Sequence, residues 1–376
     1  MATNANQGRT ATQARKRVSE KKKRAKKRTR IILFAVEIIV IVVMLGALYM
    51  LRDFGKSGIG KVVFEDGDIQ MNEQVKENVQ LKGYRNIALF GVDSRKGELE
   101  KNTLSDAIMI ASINQDTGDV KLVSVYRDTF LNLSNDKYNK CNSAYSAGGP
   151  KQAINMLNLN LDLDIEDFVT VGFSGLKETI DELGGIWIEV DNAELKHINN
   201  YQSTMAQELK CSYEMVEKAG YQKLDGLQSV AYCRIRYTSG NDFKRTERQR
   251  EVIQAIAEEA TSADAQTLIN IANSIAEAGA VYTSLEMEEI LDLLKDIANY
   301  RIVDEGGFPV EEYRGTAVLG DYGDCVVPLD LEKNVEWLHS FLFEDEDYQV
   351  SDTVSEYSDY IRSKIAQYKP DMKYPE

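Results

Sequence analysis

The 376-residue chain carries 60 acidic and 45 basic residues, a formal net charge of −15, which argues against nucleic acid as a partner. Its two histidines, His197 and His339, lie far apart in polar surroundings. Ser-His-Asp and Cys-His catalysis and histidine-rich metal sites are therefore disfavoured.

The first fifty residues predict a cytoplasmic tail followed by a membrane anchor. Residues 1–30 contain twelve Lys or Arg, one acidic residue and almost no large apolar side chains, so they cannot form a core. Residues 31–51 carry a single charge, Glu37, and about 20 apolar residues suffice to cross a bilayer. Because the basic residues all precede this span, the positive-inside rule places the N-terminus in the cytoplasm and the rest of the chain outside.

Two other interpretations fit residues 31–51 less well. The apolar region of a cleaved signal peptide is about 7–15 residues long and is followed by small residues, whereas this run is longer and ends in Tyr49, Met50 and Leu51. A buried core helix is disfavoured by the twelve adjoining basic residues. Glu37 costs about 2.5–3.5 kcal/mol inside a span, and its place in the cytoplasmic third lowers that cost through snorkelling or protonation.

The outer part of the chain is strongly acidic. After Leu51 there are 33 basic and 58 acidic residues, a formal charge of about −25. Residues 52–81 are polar and predict an extracellular stalk, and a folded domain is predicted over 82–345. Residues 346–376 are acidic and Tyr-rich and predict a C-terminal tail, whose role the sequence leaves open. Against this background, a local cluster of arginines is informative.

The folded domain opens with three strand patterns. Residues 85–91 are a short apolar run that ends in Gly91, as is typical of a buried strand. Residues 107–113 and 120–125 are two further apolar runs. Turn-forming residues at 114–119 separate them, which predicts a β-hairpin.

Helical and strand patterns then alternate, which predicts an α/β fold with a sheet covered by helices. The predicted helices are 151–159, 173–183, 243–259, 265–278, 286–298 and 331–341. The further predicted strands are 186–190, 229–236 and 325–327.

Polar residues interrupt this apolar framework where the first strands begin or end. Asp93 and Arg95 follow the first strand, Asp106 precedes the hairpin, and Arg127 and Asp128 follow it. Asp106 and Arg127 are almost equally far from the hairpin turn, so antiparallel pairing brings them to the same open end. Taken singly, an aspartate here is usually a turn or cap residue, and Arg127 next to Asp128 is an ordinary surface ion pair.

A second cluster lies in the predicted strand 229–236. Strand periodicity puts Tyr232, Arg234 and Arg236 on one face, and two adjacent cations repel each other unless an anion lies between them. We therefore favour an anion site over a solvated surface for Arg234 and Arg236.

The helix that follows adds three polar residues to one of its sides. Asp242, Arg245 and Gln249 are spaced by three and four residues, after a plausible N-cap at 241–242. For Arg248 and Arg250 we predict a solvated helix face.

Arginines beside carboxylates predict a pyrophosphate site. Arginine forks bind phosphate oxygens in pairs. Two aspartates can hold Mg²⁺, which favours one or two carboxylates together with substrate phosphates. Phosphoryl transfer needs positioning and charge neutralisation rather than a nucleophilic side chain, so the shortage of histidine is no obstacle.

These clusters, in this order, closely resemble the LytR-CpsA-Psr family of Gram-positive bacteria. The resemblance runs over about 84–260 and includes the basic tail and single span, and it is weaker over 265–345. The matching segments are 86–95 (NIALFGVDSR), 105–109 (SDAIM), 123–129 (VSVYRDT), 140–145 (KCNSAY), 148–149 (GG), 181–185 (DELGG), 224–228 (LDGLQ) and 232–236 (YCRIR), followed by Asp242, Arg245, Arg248 and Gln249. The departures are Ala107, where the family often has Thr, and Cys141-Asn-Ser, where it often has Ile-Asn-Ala.

The resemblance implies a central mixed β-sheet covered by helices on both faces and a Mg²⁺-dependent phosphotransferase. Such an enzyme attaches a glycopolymer, for example a teichoic acid or capsular polysaccharide, from a polyprenyl-pyrophosphate carrier to peptidoglycan. The polyprenyl chain would lie in an apolar channel. By resemblance, Mg²⁺ would be held by Asp93 and Asp106, pyrophosphate by Arg95, Arg127, Arg234, Arg236, Arg245 and Gln249, and Asp242 would orient arginines or assist the acceptor hydroxyl.

Two other functions remain open. One is a non-catalytic regulatory protein that binds the lipid carrier, and the other is hydrolysis, with water in place of the acceptor. The basic tail could bind DNA or anionic lipid, and its juxtamembrane position favours membrane lipids. The four cysteines show no metal-ligand spacing, and their disulfide pairing stays open: Cys141, Cys211, Cys233 and Cys325.

Overall fold

The computed structural model describes residues 59–93, 99–236, 241–260, 281–285 and 301–374, together with 263, 267 and 270. Its strands are β1 (Ile59–Lys61), β2 (Tyr84–Val92), β3 (Ser105–Asn114), β4 (Asp119–Val125), β5 (Phe130–Asn132), β6 (Tyr138–Lys140), β7 (Asp167–Gly172), β8 (Ile186–Val190), β9 (Gly220–Leu224), β10 (Val281–Thr283), β11 (Arg301–Phe308), β12 (Arg314–Val318) and β13 (Asp324–Pro328). Its α-helices are α1 (Glu73–Glu77), α2 (Asn142–Leu161), α3 (Phe173–Glu182), α4 (Asn192–Leu209), α5 (Gly226–Cys233), α6 (Asn241–Ala260), α7 (Leu331–Phe343) and α8 (Asp352–Tyr368).

Seven of these strands form one mixed sheet in the order β1-β10-β7-β2-β3-β4-β11. The predicted hairpin is confirmed, since β2, β3 and β4 pair antiparallel in succession. β7 runs parallel to β2, and β11 runs parallel to β4. The polar residues that follow β2 and β4 and that begin β3 therefore meet at one end of the sheet.

Helices cover both faces of the sheet, which confirms the predicted α/β class. One core packs α3, α5, α6 and the β8–β9 ribbon against one face, with Ile180, Val230 and Val252 buried in it. The other packs α2, α7 and α8 against the opposite face, with Ile154 and Leu338 buried in it. Apolar residues on both faces explain why β2 and β3 are nearly continuous apolar runs.

The predicted stalk and C-terminal tail are wrong where the structure describes them. β1 pairs with β10 in the main sheet, and Val75 and Leu81 are buried, so residues 59–81 belong to the domain. Beyond 345, α8 buries Val354 and Ile361 against the second core. These two residues are seven positions apart and therefore lie on one face of the helix. This spacing indicates an amphipathic helix, which the acidic composition of the segment does not reveal.

The predicted strand 229–236 is also wrong, because residues 226–233 form the helix α5. The Asp225 side chain accepts from the Gln228 backbone N–H while the Gln228 side chain accepts from the Asp225 N–H, a complete capping box. All eight residues of α5 are buried, so the short apolar run carries no polar face to reveal its period.

Several predictions fall outside the described residues or stay open. The basic tail, the apolar span 31–51 and the helical patterns at 265–278 and 286–298 lie largely or wholly there. In the described part of the chain, no helix is long and apolar enough to cross a membrane. All four cysteines are free thiols, of which only Cys211 is exposed.

His339 is a buried histidine that joins α7 to the end of α2. Its Nε2 lies 3.1 Å from the carbonyl oxygen of Leu161, and its ring stacks on Tyr348 at 3.5 Å. Burial lowers the pKa of His339 to about 4. The His339 imidazole is therefore neutral in the folded protein at neutral pH.

We expect the free energy of unfolding to fall as the pH is lowered from about 6.5 towards 4. In that window the unfolded chain protonates His339 and the folded chain does not, so the unfolded state gains on the order of 3 kcal/mol. Urea unfolding at several pH values should show a shallower decline in His339→Gln. His197, on α4, supplies the matched control His197→Gln, and an equal decline in all three proteins would contradict the expectation.

Candidate functional site

A polar cavity of about 470 Å³ opens at the end of the sheet where β2 ends and β3 begins. Most of the residues predicted for the site line it: Asp93, Asp106, Arg127, Arg234, Arg236, Arg245 and Gln249. They come from the end of β2, the start of β3, the exit of β4, the segment after α5, and α6. Arg95 lies outside the described residues.

Asp106 is the residue to which most of the others are tied. Arg127 Nη1 donates to its Oδ1, as the hairpin geometry predicts, and Arg236 Nη2 lies 3.6 Å from the same oxygen. Its backbone carbonyl accepts from Arg245 Nη2 at 3.4 Å and from Gln249 Nε2 at 3.3 Å. Asp106 thus joins β3 to the exit of β4 and to α6.

Asp93 receives a separate cation. Arg234 Nη2 donates to its Oδ2 at 3.0 Å. The same guanidinium lies 5.6 Å from the ring centre of Phe173 and 5.9 Å from that of Tyr201. Arg234 and Arg236 line the same cavity, although they follow the end of a helix and do not belong to the predicted strand.

Arg245 is a buried cation and Arg127 a largely buried one, and both have hydrogen-bond donors without an acceptor among the described residues. The side chain of Arg245 is 2% exposed, and its Nη1 lies 3.1 Å from Asp242 Oδ1 without the geometry of a hydrogen bond. Burial and the nearby charge of Arg127 lower the pKa of Arg245 to about 10. Nε of Arg245, like Nε of Arg127, has no hydrogen-bond partner among the described residues. Buried donors of this kind are satisfied by an anion with several acceptor oxygens.

Asp242 lies among these cations at the start of α6. Its Oδ1 is 3.9 Å from Arg236 Nε as well as 3.1 Å from Arg245 Nη1. It can therefore orient two guanidinium groups at once.

Asp128 is a buried carboxylate that sequence reasoning treated as an ordinary ion-pair partner. Its Oδ1 lies 3.5 Å from Arg127 Nε and 3.6 Å from Lys140 Nζ. Burial raises the pKa of Asp128 against the opposing effect of Arg127. The backbone of Arg127 is fixed as well, since its carbonyl accepts from Asn142 N at 3.1 Å and Cys141 Sγ at 3.2 Å.

The predicted solvated face for Arg248 and Arg250 is wrong. The Arg248 side chain is 1% exposed, and its Nε donates to Glu194 Oε1 at 2.7 Å. Its Nη1 donates to the carbonyl of Ile235, between Arg234 and Arg236. Arg250 is 16% exposed and lies 3.6 Å from Glu305. Helical spacing does not reveal these contacts, because Glu194 and Glu305 are both more than fifty residues away in the sequence.

The Gly148-Gly149 pair of the predicted motif positions a wall of the cavity. α2 is kinked there, with Gly149 at φ +71°, and a Cβ at Gly149 would overlap the carbonyl oxygen of Glu100. The segment that follows Glu100 supplies Asn102 and Thr103 to the cavity. Sequence reasoning did not single out these two residues.

An apolar cavity adjoins the polar one between the sheet and α6. The two share Phe173, Cys233 and Gln249. Its remaining walls are almost wholly apolar: Leu89, Phe90, Gly91, Ala107, Met109, Val169, Val171, Gly172, Leu176, Thr179, Val252, Ile253, Ile256 and Val281. A ligand with an anionic head and a hydrocarbon tail matches the pair of cavities.

The donor set suits a divalent cation that arrives with phosphate. Among the described residues, no group of three or more His, Cys, Asp or Glu side chains is arranged to hold a metal ion. Asp93 and Asp106 do line one cavity with four arginines, and two carboxylates plus phosphate oxygens and water are the ligands that Mg²⁺ prefers. The residues therefore fit Mg²⁺ bound together with a pyrophosphate.

Comparison with known proteins identifies relatives of this chain. The profile of the LytR_cpsA_psr family matches residues 57–319. The polyisoprenyl-teichoic acid–peptidoglycan teichoic acid transferase TagU of Oceanobacillus iheyensis is 30% identical over 251 residues, 63% of this chain and 70% of the relative. Biofilm regulatory protein A of Streptococcus mutans is 28% identical over 240 residues, 58% of this chain and 56% of the relative.

A solved structure shows the same fold. The LytR-CPS2A-psr family protein YwtF (TagT) with bound octaprenyl pyrophosphate lipid superposes with a TM-score of 0.52 at 20% identity. The match covers 75% of this chain and 99% of that one, and YwtF is a protein of Bacillus subtilis.

We expect Arg248→Met to lower the free energy of unfolding by about 3–5 kcal/mol, because it leaves the carboxylate of Glu194 buried without its partner. Urea unfolding of the double variant Glu194→Gln/Arg248→Met should recover part of this loss. Arg301→Met is the matched control, since Arg301 is half-exposed in its pair with Asp119 and such pairs contribute about 1 kcal/mol or less. An Arg248→Met variant as stable as the control would contradict the assignment.

Proposed function

Since the chain belongs to the LytR-CpsA-Psr family, we propose that it transfers a glycopolymer from a polyprenyl-pyrophosphate carrier to peptidoglycan. The observation that carries this proposal is the convergence of four arginines and two aspartates in a cavity that continues into an apolar one. The name of the relative from O. iheyensis and the lipid bound by YwtF support the same substrate class.

In the proposed reaction, an acceptor hydroxyl oxygen of peptidoglycan forms a bond to the phosphorus that carries the polymer. The bond from that phosphorus to the bridging oxygen breaks, and polyprenyl phosphate leaves. Arg127 and Arg245, whose Nε atoms have no hydrogen-bond partner in the part of the chain that the structure describes, would bind phosphate oxygens and offset the charge that develops on them. Asp242 would orient Arg236 and Arg245 and take the hydroxyl proton.

Magnesium is the cofactor that we propose for this site. Bound by Asp93 and Asp106, it would supply charge neutralisation to the pyrophosphate oxygens. Arg234 pairs with Asp93, and Arg127 and Arg236 face Asp106, so these guanidiniums would turn towards the phosphates as the carboxylates take up the cation.

The location that we propose follows from the sequence. The apolar span 31–51 would anchor the chain in the cell membrane, with the basic tail in the cytoplasm and the catalytic domain outside. A polyprenyl-linked substrate presents its head group at a membrane surface, so the anchor would keep the cavity near it.

The test is a transfer assay with the full-length chain in detergent, Mg²⁺, a polyprenyl-pyrophosphate-linked teichoic acid precursor and a peptidoglycan oligomer. We expect a covalent polymer–peptidoglycan product by mass spectrometry. Arg127→Ala should reduce the rate by about 100-fold or more, because it removes a buried donor aimed at the phosphate oxygens. Arg301→Ala, a substitution on the outer surface of β11, should leave the rate unchanged.

Other outcomes of the same assay point to the competing functions. Release of polymer phosphate without the acceptor indicates hydrolysis. Bound lipid carrier with no turnover under any divalent metal indicates a regulatory protein, the kind of role that the name of the S. mutans relative describes. Full activity of Arg127→Ala would contradict the proposed site.

We also expect Asp93→Asn and Asp106→Asn to raise the Mg²⁺ concentration needed for half-maximal transfer by about tenfold or more, since each removes a carboxylate ligand. Titration of Mg²⁺ into each variant measures the shift. The control is Asp119→Asn, because Asp119 is an acidic residue at the turn of the hairpin, at the opposite end from the cavity. A response to Mg²⁺ identical in all four proteins would show that these carboxylates do not hold the metal.

A further inference from the structure

Arg314, the first residue of β12, lies outside the polar cavity and yet contacts both segments that carry its catalytic residues. Its guanidinium carbon is 4.1 Å from the ring centre of Phe243 and 5.1 Å from that of Tyr126. Its Nη1 donates to the Tyr126 hydroxyl at 3.0 Å. One cation thus faces two rings and hydrogen bonds to one of them.

The two rings also contact each other. Tyr126 and Phe243 meet edge to face, with ring centres 4.6 Å apart and planes at 87°. Tyr126 is 7% exposed, and its backbone N–H donates to the carbonyl of Phe308 at 2.9 Å. A Cβ at Gly307 would overlap the Tyr126 hydroxyl, so the glycine there leaves the space that the ring occupies. We refer to Arg314, Tyr126 and Phe243 as the clasp.

The clasp is adjacent in sequence to the charged residues of the site. Tyr126 immediately precedes Arg127, and Phe243 immediately follows Asp242. Arg127 stands at the exit of β4, whereas Asp242 and Arg245 stand in the first turn and a half of α6. Apart from the clasp, Arg245 and Gln249 hold the start of α6 to the sheet through long hydrogen bonds to the Asp106 carbonyl.

We propose that Arg314 is a positioning residue that sets the distance between Arg127 and the Asp242–Arg245 pair. The inference rests on the proposed transferase function. Arg314 does not line the cavity, so it acts through Tyr126 and Phe243 and not on the phosphates. Small misplacements of a catalytic group reduce turnover strongly, whereas binding by several arginines tolerates them better.

The experiment compares Arg314→Met, Arg314→Lys and Phe243→Leu with wild type in the transfer assay, using the full-length chain in detergent. We expect Arg314→Met and Phe243→Leu to lower kcat about tenfold and to change KM for the lipid-linked donor by less than about threefold. Arg314→Lys keeps the cation over the rings and should recover at least half of the lost kcat. Arg301→Met, a β11 arginine paired with Asp119, should match wild type.

The double variant Arg314→Met/Phe243→Leu should be no slower than the worse single variant, because both substitutions open the same clasp. A wild-type kcat in Arg314→Met, a loss that appears only in KM, or no rescue by lysine would each overturn the proposal.

Hydrogen exchange separates this inference from the proposed function. Peptides from the first two turns of α6 should exchange faster in Arg314→Met than in wild type, with exchange in α7 unchanged. If wild type transfers no polymer, the proposed function fails while the exchange result still decides whether the clasp holds α6. Unchanged exchange in α6 would overturn the clasp whatever the assay shows.

Discussion

The rest of the site depends on the contacts that Asp106 makes through its side chain and its backbone carbonyl. Its carboxylate binds Arg127 and faces Arg236, and its carbonyl binds Arg245 and Gln249. One residue at the start of β3 therefore fixes the exit of β4, the segment after α5 and the face of α6. The same carboxylate is one of the two proposed for Mg²⁺, so binding of the metal there would also change the contacts of Arg127 and Arg236.

The arrangement of charge in the cavity suits a polyanion. In a chain with a net charge of −15, four guanidiniums line one cavity with two carboxylates. Removing cations from water is costly unless hydrogen bonds and opposite charges compensate. Nε of Arg127 and Nε of Arg245 find no acceptor among the described residues, so an anion in the cavity has donors available. The pyrophosphate that we propose as ligand would supply further acceptors, and the proposed Mg²⁺ would offset the charge of the two carboxylates.

The sequence predicts the parts of this structure that depend on local pattern. The apolar runs predict β2, β3 and β4, and equal distances from the hairpin turn bring Asp106 and Arg127 together. The pattern fails at 229–236, where a fully buried helix has no polar face, and at Arg248, whose partner Glu194 is 54 residues away. In both places tertiary contacts, rather than residue type, decide the structure. Arg234 and Arg236 nevertheless line the cavity, because the segment that follows α5 lies at the cavity even though it is not a strand.

The C-terminal part of the domain shows most clearly what local patterns leave out. The sequence predicts an acidic tail at its end, and the family resemblance is weaker over the preceding residues 265–345. In the structure, β11 pairs in parallel with β4, and Val326 N donates to the carbonyl of Asp128 at 3.0 Å. Arg314 reaches Tyr126 across 188 residues of sequence. The exit of β4, where Arg127 lies, is thus held in place by β11, β12 and β13. The motifs near Arg127 in the sequence do not predict these contacts. Because these contacts join segments that lie far apart in the sequence, the geometry of the polar cavity depends on the C-terminal part of the domain as well as on the charged motifs.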